Sequence, residues 1–270
     1  MTEAFAMLKQ DHWFALRFMQ KKHLQPAEFL KRLKHQPLLK VIQSNKIQVQ
    51  VRPLEANYAV AMQQQQQAYE AVLHELVTKN HVQSAHLFVG EHAPVYTLGL
   101  HGKISNLLVR EGKEGVPTLY RTNRGGDITY HGPGQLVVYF IAHLPSLNLG
   151  ARSYVECLQN AVIKTLAEFQ IEATPLADAP GVWLPPTAAQ PLRKICALGI
   201  HINRGISTHG IALNVQTKMS YFSQINPCGF TDRAVTSMLQ ELATPIDIVL
   251  VKNLLLQHLA DEIHFSYAAN

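Results

Sequence analysis

Arg124-Gly125-Gly126-Asp127-Ile128-Thr129-Tyr130-His131-Gly132-Pro133-Gly134-Gln135 runs directly into Leu136-Val137-Val138-Tyr139-Phe140-Ile141-Ala142-His143. The second half is a nearly continuous apolar run, the pattern of a core strand. The first half packs four glycines into eleven residues, which lets backbone approach a neighbour closely or take positive φ. Neither common nucleotide loop fits. No Gly-Lys-Ser/Thr follows, and Val137 stands where a Gly132-Pro133-Gly134 dinucleotide fingerprint would need glycine. A tight hairpin with a bulge accounts for the glycines alone. Arg124, Tyr130 and His131 add more polar reach than a turn requires.

Outward from this stretch the elements are short. Strands are predicted at 84–89, 95–97, 118–121, 183–184, 194–202 and 211–215, with a Pro-rich loop (Pro185, Pro186, Pro191) inside the fourth connection. Helices are predicted at 56–80, 152–169 and 246–263. The first of these has Val60, Ala68, Val72, Leu73 and Leu76 inward and its glutamine run at 63–67 as a solvated face. Regular strand–helix alternation is missing, so the fold class is α+β, a mixed β-sheet flanked by helices, rather than a doubly wound parallel sheet.

Length and composition bound the function. The chain has 270 residues, 47% hydrophobic and 16% charged, enough to bury a sizeable core. Its longest apolar run, 136–142, is seven residues, against the roughly 18 needed to span a membrane, and no secretory leader is legible. Three cysteines predict free thiols in a reducing cytoplasm rather than a disulfide framework. The net charge of +5 sits in the first fifty residues, which hold nine basic and three acidic side chains, while the remainder is close to neutral. Residues 1–45 therefore read as a basic extension with a short helix at 27–35, and 46–270 as the catalytic body. A nucleic-acid footprint would need Lys and Arg clustered on that body, so no nucleic-acid or membrane partner is expected.

Chemistry concentrates in two further segments. In Lys194-Ile195-Cys196-Ala197-Leu198-Gly199-Ile200-His201, strand alternation puts Lys194 on one face with Cys196, Leu198 and Ile200. Lys194 reads either as a strand-end residue reaching water or as a general base; position alone leaves both open. The other segment is His209-Gly210-Ile211-Ala212-Leu213-Asn214-Val215, followed by Pro227-Cys228-Gly229. Cys157 lies in a helix and Cys196 in a strand, so both read as small buried hydrophobes. Cys228, between proline and glycine, is the thiol placed to react. A nucleophilic thiol needs a base or a cation beside it, for which His131, Lys194 and His209 are the candidates. The cysteine and histidine spacings fit no metal site.

Glu91-His92-Ala93-Pro94-Val95-Tyr96-Thr97-Leu98-Gly99, the 124–135 stretch, Ala179-Pro180-Gly181-Val182-Trp183, 194–199, 209–214 and Asn226-Pro227-Cys228-Gly229 occur in that order. Together they resemble the lipoyl(octanoyl) transferase family, over roughly residue 47 to the C-terminus. The resemblance implies a fold similar to the biotin and lipoate protein ligases and a two-step acyl transfer without cofactor or ATP. The donor it implies is octanoyl-acyl carrier protein. The acceptors are apo lipoyl domains and the glycine-cleavage H protein, and the enzyme is expected to be a cytoplasmic monomer. Carried over residue by residue, Cys228 is the acyl-thioester nucleophile and Lys194 the lysine that activates it. Arg124, Gly125, Gly126, Asp127, Ile128, Thr129, Tyr130 and His131 form the main substrate-binding loop. Ala197, Leu198 and Gly199, with Gly210, Ile211 and Ala212, form smaller substrate-contacting segments, and His209 is a possible pocket group. Leu98, Leu198, Ile200 and Ile211 are candidates for the acyl slot. A lipoate or octanoate ligase on the same fold would need ATP and no thiol, a thioesterase would share only the first half-reaction, and a binding module would use the basic arm.

Overall fold

The computed structural model describes residues 47–79, 82–226 and 233–265. The predicted extension, its short helix and Cys228 lie outside these residues. The chain forms β1 (Gln48–Pro53), α1 (Tyr58–Lys79), β2 (Ser84–Gly90), β3 (Val95–Leu98), β4 (Thr118–Arg121), β5 (Ile128–His131) and β6 (Gln135–Ile141). It continues through α2 (Ala151–Glu168), β7 (Thr174–Pro175), β8 (Gly181–Leu184), β9 (Arg193–Asn203), β10 (Ile206–Asn214), β11 (Ala234–Val235), α3 (Met238–Leu242) and α4 (Ile248–Ile263). Among the described residues these make a mixed sheet in the order β1-β2-β6-β10-β9-β8-β7, with β11 added parallel to the start of β9, and a small sheet in the order β4-β3-β5. The α+β reading of the sequence holds.

β6 is the axis of the large sheet, and every one of its residues is buried. Val137, Tyr139 and Ile141 pack towards Ala61, Ala68 and Val72 of α1. Their neighbours turn the other way, Phe140 meeting Tyr154 of α2 and Phe265 beyond α4. Helices on both faces are why the strand reads as an unbroken apolar run. The Asn57 side chain accepts from the N–H groups of Ala59 and Val60 at the start of α1, and Asp247 accepts from Val249 at the start of α4. The small sheet has its own core of Tyr96, Leu98, Leu119, Ile128, Tyr130 and Ile225.

Four sequence expectations change. β1 and β5 were not foreseen as strands; β5 is short and lies inside the glycine-rich stretch, where turn chemistry dominates the pattern. β10 starts at Ile206, ahead of the predicted 211, because Ser207, Thr208 and His209 obscure its apolar alternation. On α1, Val60 is 42% exposed, whereas Gln65 in the supposedly solvated glutamine run is 2% exposed and reaches the sheet. Leu98 belongs to the small-sheet core and does not line the acyl slot candidate described below.

Candidate active site

The glycine-rich stretch crosses from the small sheet to the large one and closes over a cavity of about 330 Å³. Its docking is made by backbone. The Gly125 N–H donates to Ile200 O at 3.0 Å, and a Cβ on Gly199 would stand 3.1 Å from Gly125 O, so a side chain there would require the loop to shift by a few tenths of an ångström. Gly125 N–H is thereby committed to β9. Arg124, 7% exposed, holds the loop from inside. Its Nε donates to Thr97 Oγ1, its Nη1 to Gly125 O, and its Nη2 to the carbonyls of Thr97 and Asp127. The Asp127 carboxylate accepts from the N–H groups of Ile128 and Lys103 and from the Asn106 amide.

The cavity brings together Arg124, Gly125, Gly126, Asp127, Ile128, Thr129 and His131 from this loop, Lys194, Ala197, Leu198 and Gly199 from β9, and His209, Gly210, Ile211 and Ala212 from β10. Fifteen of the sixteen described residues singled out from sequence as site candidates thus share one wall system. The exception is Tyr130. Alternation along β5 turns its ring away from the cavity, where it stacks on Tyr221 at 4.6 Å and packs against Tyr96 and Phe222. Its place is in the small-sheet core, corrected from the predicted binding loop. Cys228 lies outside the described residues.

Beyond the predicted set, Tyr139, Asp178, Pro180, Asn214 and Phe222 also line the cavity. Gln135 links this polar floor together. Its Nε2 donates to Tyr130 O and to Asn214 Oδ1, so its Oε1 accepts from His131 Nδ1–H at 2.7 Å. Asn214 in turn donates to Thr236 O, and Thr236 N–H donates to Lys194 O. Gln135, the polar residue after the glycine-rich turn, and Asn214, the polar residue ending β10, were legible as such, but their pairing is tertiary.

Charge separates the three candidate partners of the thiol. Burial, with the positive charge of Arg124 adding to it, pushes His131 well below its ordinary value and His209 down to about 3. Both imidazoles are therefore neutral near pH 7. His209 Nε2 meets Asn123 Oδ1 at 2.7 Å, which fixes the proton on Nε2. Its backbone is left-handed at φ 59, unusual for a non-glycine residue, and its N–H leaves the ladder to donate to Gln65 Oε1 of α1. Lys194 differs from both in being set against an aromatic face, its Nζ 4.6 Å from the centre of the Trp183 ring.

Lys194 also sits on a different face from the one predicted. In the β8–β9 register Gly181 faces Ala197 and Trp183 faces Lys194, so two steps on β8 match three on β9. This bulge breaks the alternation and moves Lys194 to the side of Ala197, away from that of Cys196. Cys196 itself is fully enclosed, its thiol pushed up to about 12 by burial, and Cys157 is half-buried with its thiol also raised. Both thiols are thus biased towards the protonated form, in keeping with their places in a strand and a helix.

Known proteins share this chain's sequence family and its fold. Residues 62–260 match the family described as the lipoyl protein ligase A/B catalytic domain. An octanoyltransferase of Parabacteroides distasonis is 44% identical over 198 residues, 73% of this chain and 89% of the relative. An octanoyltransferase of Vibrio vulnificus is 39% identical over 203 residues, 73% of this chain and 88% of that one. A bipartite lipoate protein ligase from Thermoplasma acidophilum superposes with a TM-score of 0.60 at 16% identity, covering 84% of this chain and 87% of that one. A lipoate-protein ligase A solved with ATP gives 0.55, also at 16%, over 84% and 88% of the two chains. The structural likenesses show a shared fold. The resemblance read from the motifs is borne out.

Proposed function

Because the chain belongs to the lipoyl protein ligase A/B catalytic-domain family and is an acyltransferase of the octanoyltransferase kind, we propose that it carries an octanoyl group from octanoyl-acyl carrier protein to protein lysines through Cys228. The acceptors in this reading are apo lipoyl domains and the glycine-cleavage H protein. The observation that carries it is the cavity itself. A lysine from β9, two neutral buried histidines and the apolar residues Leu198, Ile200 and Ile211 line it beneath a glycine-rich cover. Residues 46–270 act as the catalytic domain and 1–45 as a basic extension that attracts an acidic carrier protein. The enzyme works as a cytoplasmic monomer.

In the first step neutral Lys194 takes the Cys228 proton, or the Lys194 cation stabilises a thiolate whose proton has gone to water, and Sγ attacks the octanoyl thioester carbonyl. The C–S bond to the carrier breaks and the carrier thiol leaves with a proton. One thioester replaces another, so no nucleotide is consumed. In the second step the acceptor lysine amine attacks the octanoyl-Cys228 carbonyl, the C–Sγ bond breaks, and Lys194 manages the proton lost from the amine. Neutral imidazoles at His131 and His209 add no competing positive charge, which leaves Lys194 as the electrostatic partner of the thiol. Leu198, Ile200 and Ile211 take the acyl tail.

The test is intact-protein mass after incubation with octanoyl-acyl carrier protein in the absence of ATP. Wild type is expected to gain one octanoyl group, Cys228→Ala none, and an apo lipoyl domain to discharge it. Acceptor modification that requires ATP and free octanoate, with no adduct on the wild-type enzyme, overturns the reading in favour of a ligase.

A further inference from the structure

Lys194 is framed on one side by a single short strand. A Cβ on Gly181 would stand 3.2 Å from Lys194 Cε and 2.7 Å from Cys196 O, and Gly181 has φ +135, a backbone that other residues rarely adopt. Two residues on, the Trp183 ring lies under the ammonium at 4.6 Å. The bulge between Val182 and Trp183 is what sets the ring opposite Lys194. The strand is itself anchored. Gln159 of α2 donates to Gly181 O at 2.9 Å, and Trp183 Nε1 donates to Ala179 O at 3.0 Å, which fixes the indole plane. The ring is 1% exposed, so water does not weaken its attraction for a cation.

We infer that Gly181-Val182-Trp183 is the positioning device for Lys194, Gly181 clearing space for the side-chain stem and Trp183 fixing the ammonium. This rests on the reading of Lys194 as the group that activates the nucleophile. Charged and titratable groups near it among the described residues include Arg233, Arg193 and Cys196. The Arg233 guanidinium lies 5.5 Å from the same ring and is paired with Asp178 at 2.8 Å, which offsets its charge against the lysine. Arg193, the preceding residue of β9, is closed in a two-pronged pair with Glu241. The Cys196 thiol stays protonated. An indole face favours the ammonium over the amine, so the ring both orients Lys194 and holds its proton.

The experiment reads Lys194 directly and then reads catalysis. The full chain is labelled with limiting acetic anhydride across a pH series, and acetylation of Lys194 is followed by peptide mass spectrometry. Trp183→Leu is expected to lower the labelling midpoint by about 0.5 to 1.5 pH units. Trp183→Phe, which keeps an aromatic face, is expected to recover part of the shift, and it carries the test alone if the leucine variant does not fold. The pH profile of octanoyl transfer is expected to move with the labelling midpoint. An unchanged midpoint in folded variants overturns the inference. A midpoint that moves while the transfer profile stays put supports the positioning role and instead sinks the assignment of proton handling to Lys194.

Discussion

In the wall formed by residues 124–131 a charged side chain serves the backbone, whereas in the wall formed by β8 and β9 the backbone serves a charged side chain. Arg124 commits its guanidinium to carbonyl oxygens of Thr97, Gly125 and Asp127, and Asp127 commits its carboxylate to N–H groups around it. Its polar atoms thus hold the loop in shape. Across the cavity, a bulge and a glycine on neighbouring strands clear room for Lys194 and turn it inward. The first wall is built to hold a shape and the second to present a reactive group. Conserving charge at Arg124 and at Lys194 therefore protects different properties.

Substitutions should separate the two. Lys194→Met is expected to lower the transfer rate by about 10²–10⁴-fold, the usual worth of a positioned proton-transfer group, while urea unfolding stays close to wild type. Comparable loss of both would erase the contrast. Arg124→Met is expected to show the opposite balance. It leaves buried carbonyls without donors and costs about 2–4 kcal/mol in urea unfolding, with a raised KM for the acyl donor. An unfolding free energy equal to wild type would remove Arg124 from the scaffold.

Acid should strain the histidines of both walls and the layer beneath. His92 is held down at about 4 and His209 at about 3 by burial, against an ordinary value of 6.5, and His131 is lowered as well. A depressed histidine favours the folded state fully above pH 6.5 and loses that contribution as pH falls towards the folded value. Unfolding free energy is therefore expected to drop by at most about 1.4 kcal/mol per pH unit for each of His92 and His209 between pH 6 and 4.5, with His131 adding in the same direction. A flat profile over that range would mean these imidazoles are not buried neutral. The smallest effect is expected at Tyr130, whose buried hydroxyl has no hydrogen-bond partner among the described residues. Tyr130→Phe should change stability by less than about 0.5 kcal/mol and leave transfer intact. A large loss of transfer would return Tyr130 to the binding loop.

Local patterns carried much of this. The apolar run after Gln135, the glycine spacing and the lysine at the head of β9 each imposed a physical requirement that the fold meets. What the sequence concealed were features set by more than one segment. Alternation along β9 placed Lys194 with Cys196, because a bulge is a property of two strands and leaves no mark in one. The glutamine run hid Gln65, since helical period alone makes a polar residue look solvated when its partner lies 144 positions away. Gln135, Asn214 and Trp183 were visible only as polar or aromatic residues within motifs, and their partners became apparent in three dimensions. Cys228 rests on sequence context, as it lies outside the described residues.

The hydrogen bond from His209 to Gln65 has a kinetic consequence. Most strand amides are shielded from solvent exchange by a carbonyl on the neighbouring strand and exchange when the sheet opens. The His209 amide is shielded by a helix side chain, so its deuterium uptake tracks the separation of α1 from the sheet. One proton at the rim of the cavity thus keeps time for the helix behind it.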